Sequence, residues 1–183
     1  MALKATIFKA ELQIADMDRN YYGDHSLTLA RHPSETDERL MVRLLVFALH
    51  ASESLSFGRG LSAEDEPDLW ERDLTGSITT WIDVGLTDER RLRKACGRAG
   101  SVFVYAYGGR TVDLWWRQAE GELARTTNLT VSSLPLAATQ ALAGLAGRTM
   151  QLQCTIQEGQ VWVGDGKTVV QIDPVVLKVP GAD

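Results

Sequence analysis

Apolar and polar positions alternate loosely along residues 3–16, with Ala5 and Ile7 on one parity and Phe8, Leu12 and Ile14 on the other. Period-two alternation is the mark of a strand with one buried face, and an irregularity is expected near Lys9. Residues 17–24 read as a connection and His25 to Ala30 as a second strand. The period then changes. Leu40, Met41, Leu44, Leu45 and Ala48 recur at helical intervals, extended by Val42 and Phe47, so a largely buried helix is predicted over about residues 35–51. Ser34 suits its N-cap, with Glu35, Asp37 and Glu38 placing acid where the exposed amides of a first turn favour it.

Short extended pieces follow at residues 55–57, ending at Gly58 and Gly60, and at residues 68–72, around an acidic loop over residues 61–67. Ser77 to Val84 is a strand rich in β-branched and aromatic residues. A second helix is expected to be capped by Thr87, with Leu92, Ala95, Cys96 and Ala99 on its apolar face and Gly100 at its end. Residues 101–107 form a near-continuous apolar strand of the kind buried on both faces. Gly108 and Gly109 turn into a further strand over residues 111–116, residues 117–128 are polar, and residues 129–133 form another strand. Ser133 is the expected cap of a third helix that closes at Gly147. Strands are predicted at residues 149–157, 160–164 and 167–172, with turns at Glu158-Gly159 and Asp165-Gly166, and a last extended run follows. The pattern predicts one domain of α/β (α+β) class. Packed helices accompany a mixed sheet, or the flanking strands make a small barrel-like extension.

At 183 residues, 44% hydrophobic and 23% charged, with five tryptophans, the chain has material for a real core. The formal charge of -5 excludes a wholly basic, nucleic-acid-coating surface but not a local basic patch. Cys96 and Cys154 make no disulfide framework and read as buried thiols without chemistry. The N-terminal stretch lacks an apolar signal core and no run is long enough to span a bilayer, so no membrane role and a cytoplasmic location are expected. His25, His32 and His50 lack zinc-ligand spacing, and no serine sits in a nucleophile elbow.

Candidate chemistry concentrates between Glu66 and Lys94. Asp68 opens a short extended piece and Asp83 lies near the end of the 77–84 strand. Neighbouring strands would bring these carboxylates together, with Glu38 or Glu35 added from the first helix. Carboxylates around one hard cation suit Mg²⁺ or Mn²⁺, which would polarise a phosphodiester and acidify an attacking water. Each acid has a bland alternative: a turn aspartate at 68, a bond to turn amides at 83, favourable first-turn charge at 35 and 38. Arg91, Lys94 and Arg98 make the second helix locally basic, able to meet phosphate oxygens or simply to solvate a helix face. Lys94, beside the apolar stripe, is the expected catalytic amine next to Asp83. Trp116, next to Arg117, is expected to be exposed or to cover a groove if Trp115 is core.

The stretches YYGDHSLTLARHPSETDERLMVRLLVFALHASE, EDEPDLWERDLTG, TTWIDVGLTDERRLRKACGRA and YAYGGRTVDLWW look like the YaeQ family of small bacterial proteins. That resemblance implies a compact variation on the PD-(D/E)xK nuclease fold, a restriction-endonuclease-like core with extra flanking strands. Under it Glu38 matches the helix glutamate better than Glu35, Pro67-Asp68 the first half of the nuclease motif, and Asp83 the acid of the second half. The motif's lysine falls at Gly85, so Lys94 either takes its place or catalysis is lost. Two functions follow. One is a Mg²⁺- or Mn²⁺-dependent nuclease holding its metal through Glu38, Asp68 and Asp83. The other is a non-catalytic module of the same fold that binds nucleic acid or a protein through the second helix, with Arg91 and Arg98, and the tryptophans.

Overall fold

The computed structural model describes residues 4–59 and 63–181, so the expected turn at Gly60 lies outside the described residues. In chain order the elements begin with β1 (Thr6–Asp16), β2 (Tyr21–Arg31), α1 (Asp37–His50), β3 (Ser56–Phe57), β4 (Leu69–Arg72), β5 (Ile78–Val84) and α2 (Glu89–Arg98). They continue with β6 (Ala99–Tyr107), α3 (Arg110–Leu123), β7 (Leu129–Leu134) and α4 (Leu136–Ala143). The tail is β8 (Thr149–Gln157), β9 (Gln160–Gly164), β10 (Val169–Ile172) and β11 (Val175–Lys178). This is a mixed α/β fold. No helix among the described residues is long and apolar enough to cross a membrane. The described residues fall into two compact units, one drawn from Met1–Ala51 and Ala137–Asp173, the other from Ser52–Leu136 and Pro174–Asp183.

The first unit holds a five-stranded sheet in the order β10-β9-β8-β1-β2, with β1 and β8 parallel and the other neighbours antiparallel. Phe8, Ala10, Leu12 and Ile14 point inward from β1 as the alternation predicts. Lys9 carries no irregularity: it pairs with Thr28 and Thr149 in unbroken register. β2 starts four residues before its expected position because the connection needs only a tight turn, where Asn20 takes a positive φ that asparagine tolerates. Helix α1 is capped by Thr36, not Ser34. The Thr36 hydroxyl accepts from the Arg39 amide at 3.1 Å, while Ser34 is held in the preceding turn by His32. Residues Leu40 to Ala48 are buried without interruption, one of them an arginine.

The second unit holds a six-stranded sheet in the order β11-β7-β6-β5-β4-β3. Strands β5, β6 and β7 are parallel, joined through α2 and α3, and the outer strands pair antiparallel. Trp81, Val102, Val104, Leu129 and Val131 from the sheet meet Leu92, Ala95, Ala119 and Leu123 from the two helices in one core cluster. The expected strand over residues 111–116 is instead the start of α3. Val112, Ala119 and Leu123 are its buried positions, a helical spacing that the β-forming residues around Trp115 and Trp116 mask. Parallel strands also require a crossover, which a helix supplies here. For the same reason of pairing, Ser133 stays in β7 opposite Val175, and α4 begins only at Leu136.

Candidate functional site

Two short strands set the centre of the site. Leu69 on β4 pairs with Ile82 on β5, which brings Asp68 beside Asp83, as the sequence predicts. Gly58 makes room for this: its amide donates to the Asp68 carbonyl at 2.9 Å, and a Cβ there would lie 2.0 Å from the Pro67 oxygen. Both carboxylates are buried, at 5% and 2% exposure. A buried charge needs partners. Asp68 Oδ2 accepts from the Val84 amide at 2.8 Å.

The partner of Asp83 is Arg91. Helix α2, capped by Asp88 rather than Thr87, starts where its first turn faces the end of β5. Arg91 Nε and Nη2 donate to Oδ2 and Oδ1 of Asp83 at 3.0 and 3.3 Å. The rest of the guanidinium is held by the carbonyls of Glu64 and Glu66, the latter at 2.7 Å. Its Cζ stands 5.5 Å from the centroid of the Trp81 ring, and that of Arg98 stands 5.4 Å from it. Burial pushes the Asp83 carboxyl above its usual range; Arg91 pulls it down, and the neighbouring Asp68 charge adds to the rise. The buried Trp81 Nε1 closes no hydrogen bond with a described residue, yet lies near enough to Asp83 to favour its ionised form.

The remaining expected residues stand as follows. Arg91, expected on phosphate, is turned inward. Lys94 and Arg98 are exposed on α2, and neither makes an ion pair with a described residue; Arg98 reaches the Asp65 carbonyl at 3.5 Å. Gly85, directly after β5, has φ 102°. A lysine at this position would be strained by the backbone conformation. Glu38 belongs to the first unit, half-buried on α1, where it accepts from Thr139 Oγ1 at 3.2 Å. Glu35, the additional candidate ligand, is locked between two arginines. Arg39 Nη1 and Arg43 Nη2 approach it at 2.6 Å each, and Arg43 Nε adds a third bond at 3.0 Å. Arg43 inside an apolar helical run was the legible signal that a buried acid had to sit nearby. Trp116 is half-buried and packs against the core cluster. Both cysteines are free: burial, helped by Asp16, pushes the Cys154 thiol up to about 12, whereas Cys96 is only partly buried.

Divalent metals need carboxylates free to coordinate. Both oxygens of Asp83 are engaged by Arg91, and among the described residues no group of three His, Cys, Asp or Glu side chains stands close enough to hold an ion. In this arrangement Arg91 covers Asp83, and its guanidinium neutralises the acid.

Two sheets, a βαβαβ stretch and a pair of buried aspartates under an arginine define a mixed α/β protein with an ion-paired carboxylate site. The chain belongs to the YaeQ family, whose model, described as YaeQ protein, matches residues 1–174. It is 48% identical to the uncharacterized protein YaeQ of Salmonella typhi and 46% identical to that of Escherichia coli K12, each over 180 residues covering 98% of this chain and 99% of the relative. Its fold is similar to the crystal structure of YaeQ protein from Xanthomonas axonopodis pv. citri, with TM-score 0.93 and 52% identity, covering 96% of this chain and 99% of that one. The YaeQ protein structure from Pseudomonas syringae matches with TM-score 0.92 and 35% identity, over 97% and 98% of the two chains.

Proposed function

We propose that this protein is a non-catalytic nucleic-acid-binding module built on a PD-(D/E)xK-like core. One observation carries this reading: how α2 divides its cations. Arg91 turns inward to neutralise Asp83, while Arg90, Lys94 and Arg98 remain exposed with no ion pair among the described residues. The three recur every four residues, so they form a ridge with steps of about 6 Å and a length of about 12 Å. Such a row meets successive phosphates, and phosphate contacts position a protein on nucleic acid without reading its sequence. Gly85 in place of the motif lysine supports the same reading, because the amine that would handle transition-state charge is missing from β5.

The test is binding of fluorescein-labelled oligonucleotides, followed by anisotropy at graded salt. Arg90→Ala/Lys94→Ala/Arg98→Ala is expected to lose at least about tenfold in affinity and to flatten the log K against log salt slope by roughly 2–3. Unchanged affinity and slope in the triple variant would reject the reading, as would no binding by the wild type.

A second reading, a Mg²⁺- or Mn²⁺-dependent nuclease, is favoured by the juxtaposition of buried Asp68 and Asp83 on neighbouring strands. It requires Arg91 to release Asp83. Cleavage of single- or double-stranded substrates by the wild type and its loss in Asp83→Asn would establish it; equal turnover in both would remove Asp83 from the chemistry.

A further inference from the structure

Beside the basic helix, the second unit carries two hollows that meet at one residue. One, of about 420 Å³, is lined by Trp116, Glu120, Gly121, Ala124 and Lys178. The other, of about 520 Å³, is lined by Arg93, Gly121, Glu122, Arg125 and Thr126. Gly121 is common to both. It sits inside α3, where glycine weakens a helix relative to alanine, and packing does not explain it: a Cβ at this position would meet nothing within 4 Å. What the missing side chain does is leave the surface open between the hollows.

The two hollows differ in charge. The Trp116 side holds one acid and one cation, and its cation is engaged: Lys178 Nζ donates to the carbonyls of Thr126 and Val179 at 3.0 and 3.4 Å. That side suits a flat, neutral group. Trp116 packs against the core together with Trp115, whose ring centroid is 5.9 Å away, so the indole is held as a fixed platform. The other side holds two arginines and one acid: Arg93 is ion-paired to Glu89 at 2.8 Å and stands 4.0 Å from Glu122, whereas Arg125 is exposed and makes no ion pair with a described residue. That side suits an anion at Arg125, and Arg93, which immediately precedes Lys94 on α2, places the hollow next to the basic helix.

We infer that the Trp116 hollow takes an unpaired base while Arg125 takes the adjoining phosphate, so that the ligand of this protein is single-stranded nucleic acid. The inference rests on the nucleic-acid reading of α2 and names the strand state. In a duplex the base faces are stacked on one another and offer Trp116 no surface, whereas base–aromatic stacking is the usual anchor for single strands.

The experiment compares an oligothymidylate of about 15 nucleotides with a duplex of the same length, for the wild type, Gly121→Leu, Trp116→Ala and Trp116→Phe. Thermal melts establish that each variant is folded; Gly121→Leu is the decisive one, since its Cβ has open space. The single strand is expected to bind about tenfold tighter than the duplex. Gly121→Leu and Trp116→Ala lose about tenfold on the single strand only, and Trp116→Phe keeps most of the affinity. Equal binding of both ligands with no effect of Gly121→Leu overturns the inference and leaves the α2 ridge as a duplex-compatible surface. Absence of binding to either overturns the ridge as well, and with it this inference.

Discussion

Glu35 and Asp83 are both buried carboxylates answered by arginine, but the two pairs are built differently. Glu35 and Arg43 are equally enclosed, with side-chain exposures of 2% and 4%, and Arg39 and the Ala30 carbonyl complete the set. Around Asp83 the acid is 3% exposed while its Arg91 partner is 30% exposed and held from outside by two loop carbonyls. The first is an interior staple inside one helix and the turn before it. In the second, water reaches the cation, and the helix that supplies it also presents four further cations outward. The same chemistry therefore serves packing in one region and a surface in the other.

The largest expected effect tests the staple. Arg43→Met leaves Glu35 short of its main partner in the interior and should cost about 3 kcal/mol in urea unfolding. A loss below about 1 kcal/mol would put Glu35 on the same footing as Asp83 and break the contrast.

A second measure of the enclosed character of the first unit is His50. Burial first, then the charge of Arg19, lowers its pKa to about 4 from 6.5. Because the unfolded chain binds the proton more readily, the stabilisation is complete above pH 6.5 and is lost as pH falls from 6.5 towards 4. The loss should approach, without exceeding, about 3 kcal/mol, since part of the ring remains accessible. An imidazole titrating near 6.5 in the folded protein by NMR would contradict it.

Arg91→Met sharpens the other half. With water at the guanidinium, its removal should cost about 1–2 kcal/mol, less than Arg43→Met. Asp83, already pushed up by burial, should climb further in this variant. A raised carboxyl contributes stability below its unfolded pKa and loses it as pH rises through the folded one. The deficit against wild type should therefore shrink as pH falls from 7 towards 4 in parallel urea titrations. A constant deficit would mean that Arg91 acts by packing alone.

Much of this was legible in the chain because it is local. The alternation in β1, the apolar stripe and acidic first turn of α1, the glycine turns and the pairing of Asp68 with Asp83 each follow from neighbours a few residues apart or from strands joined by a short turn. Cap positions slipped by one or two residues, from Ser34 to Thr36 and from Thr87 to Asp88, because several adjacent side chains could cap and the turns around them chose. The segment from Thr111 to Trp116 was misread for a deeper reason. Its residues favour a strand locally, and only the need to carry the chain from β6 to the parallel β7 makes it helix.

What sequence alone determined, then, is the set of elements whose apolar period is strong and the presence of acids that had to meet something. Tertiary structure decided what they met. That Asp83 faces Arg91, that Glu35 faces Arg43, and that Gly121 opens a hollow beside Trp116 all depend on which helix turn lies over which strand end, and no interaction short in sequence reports that.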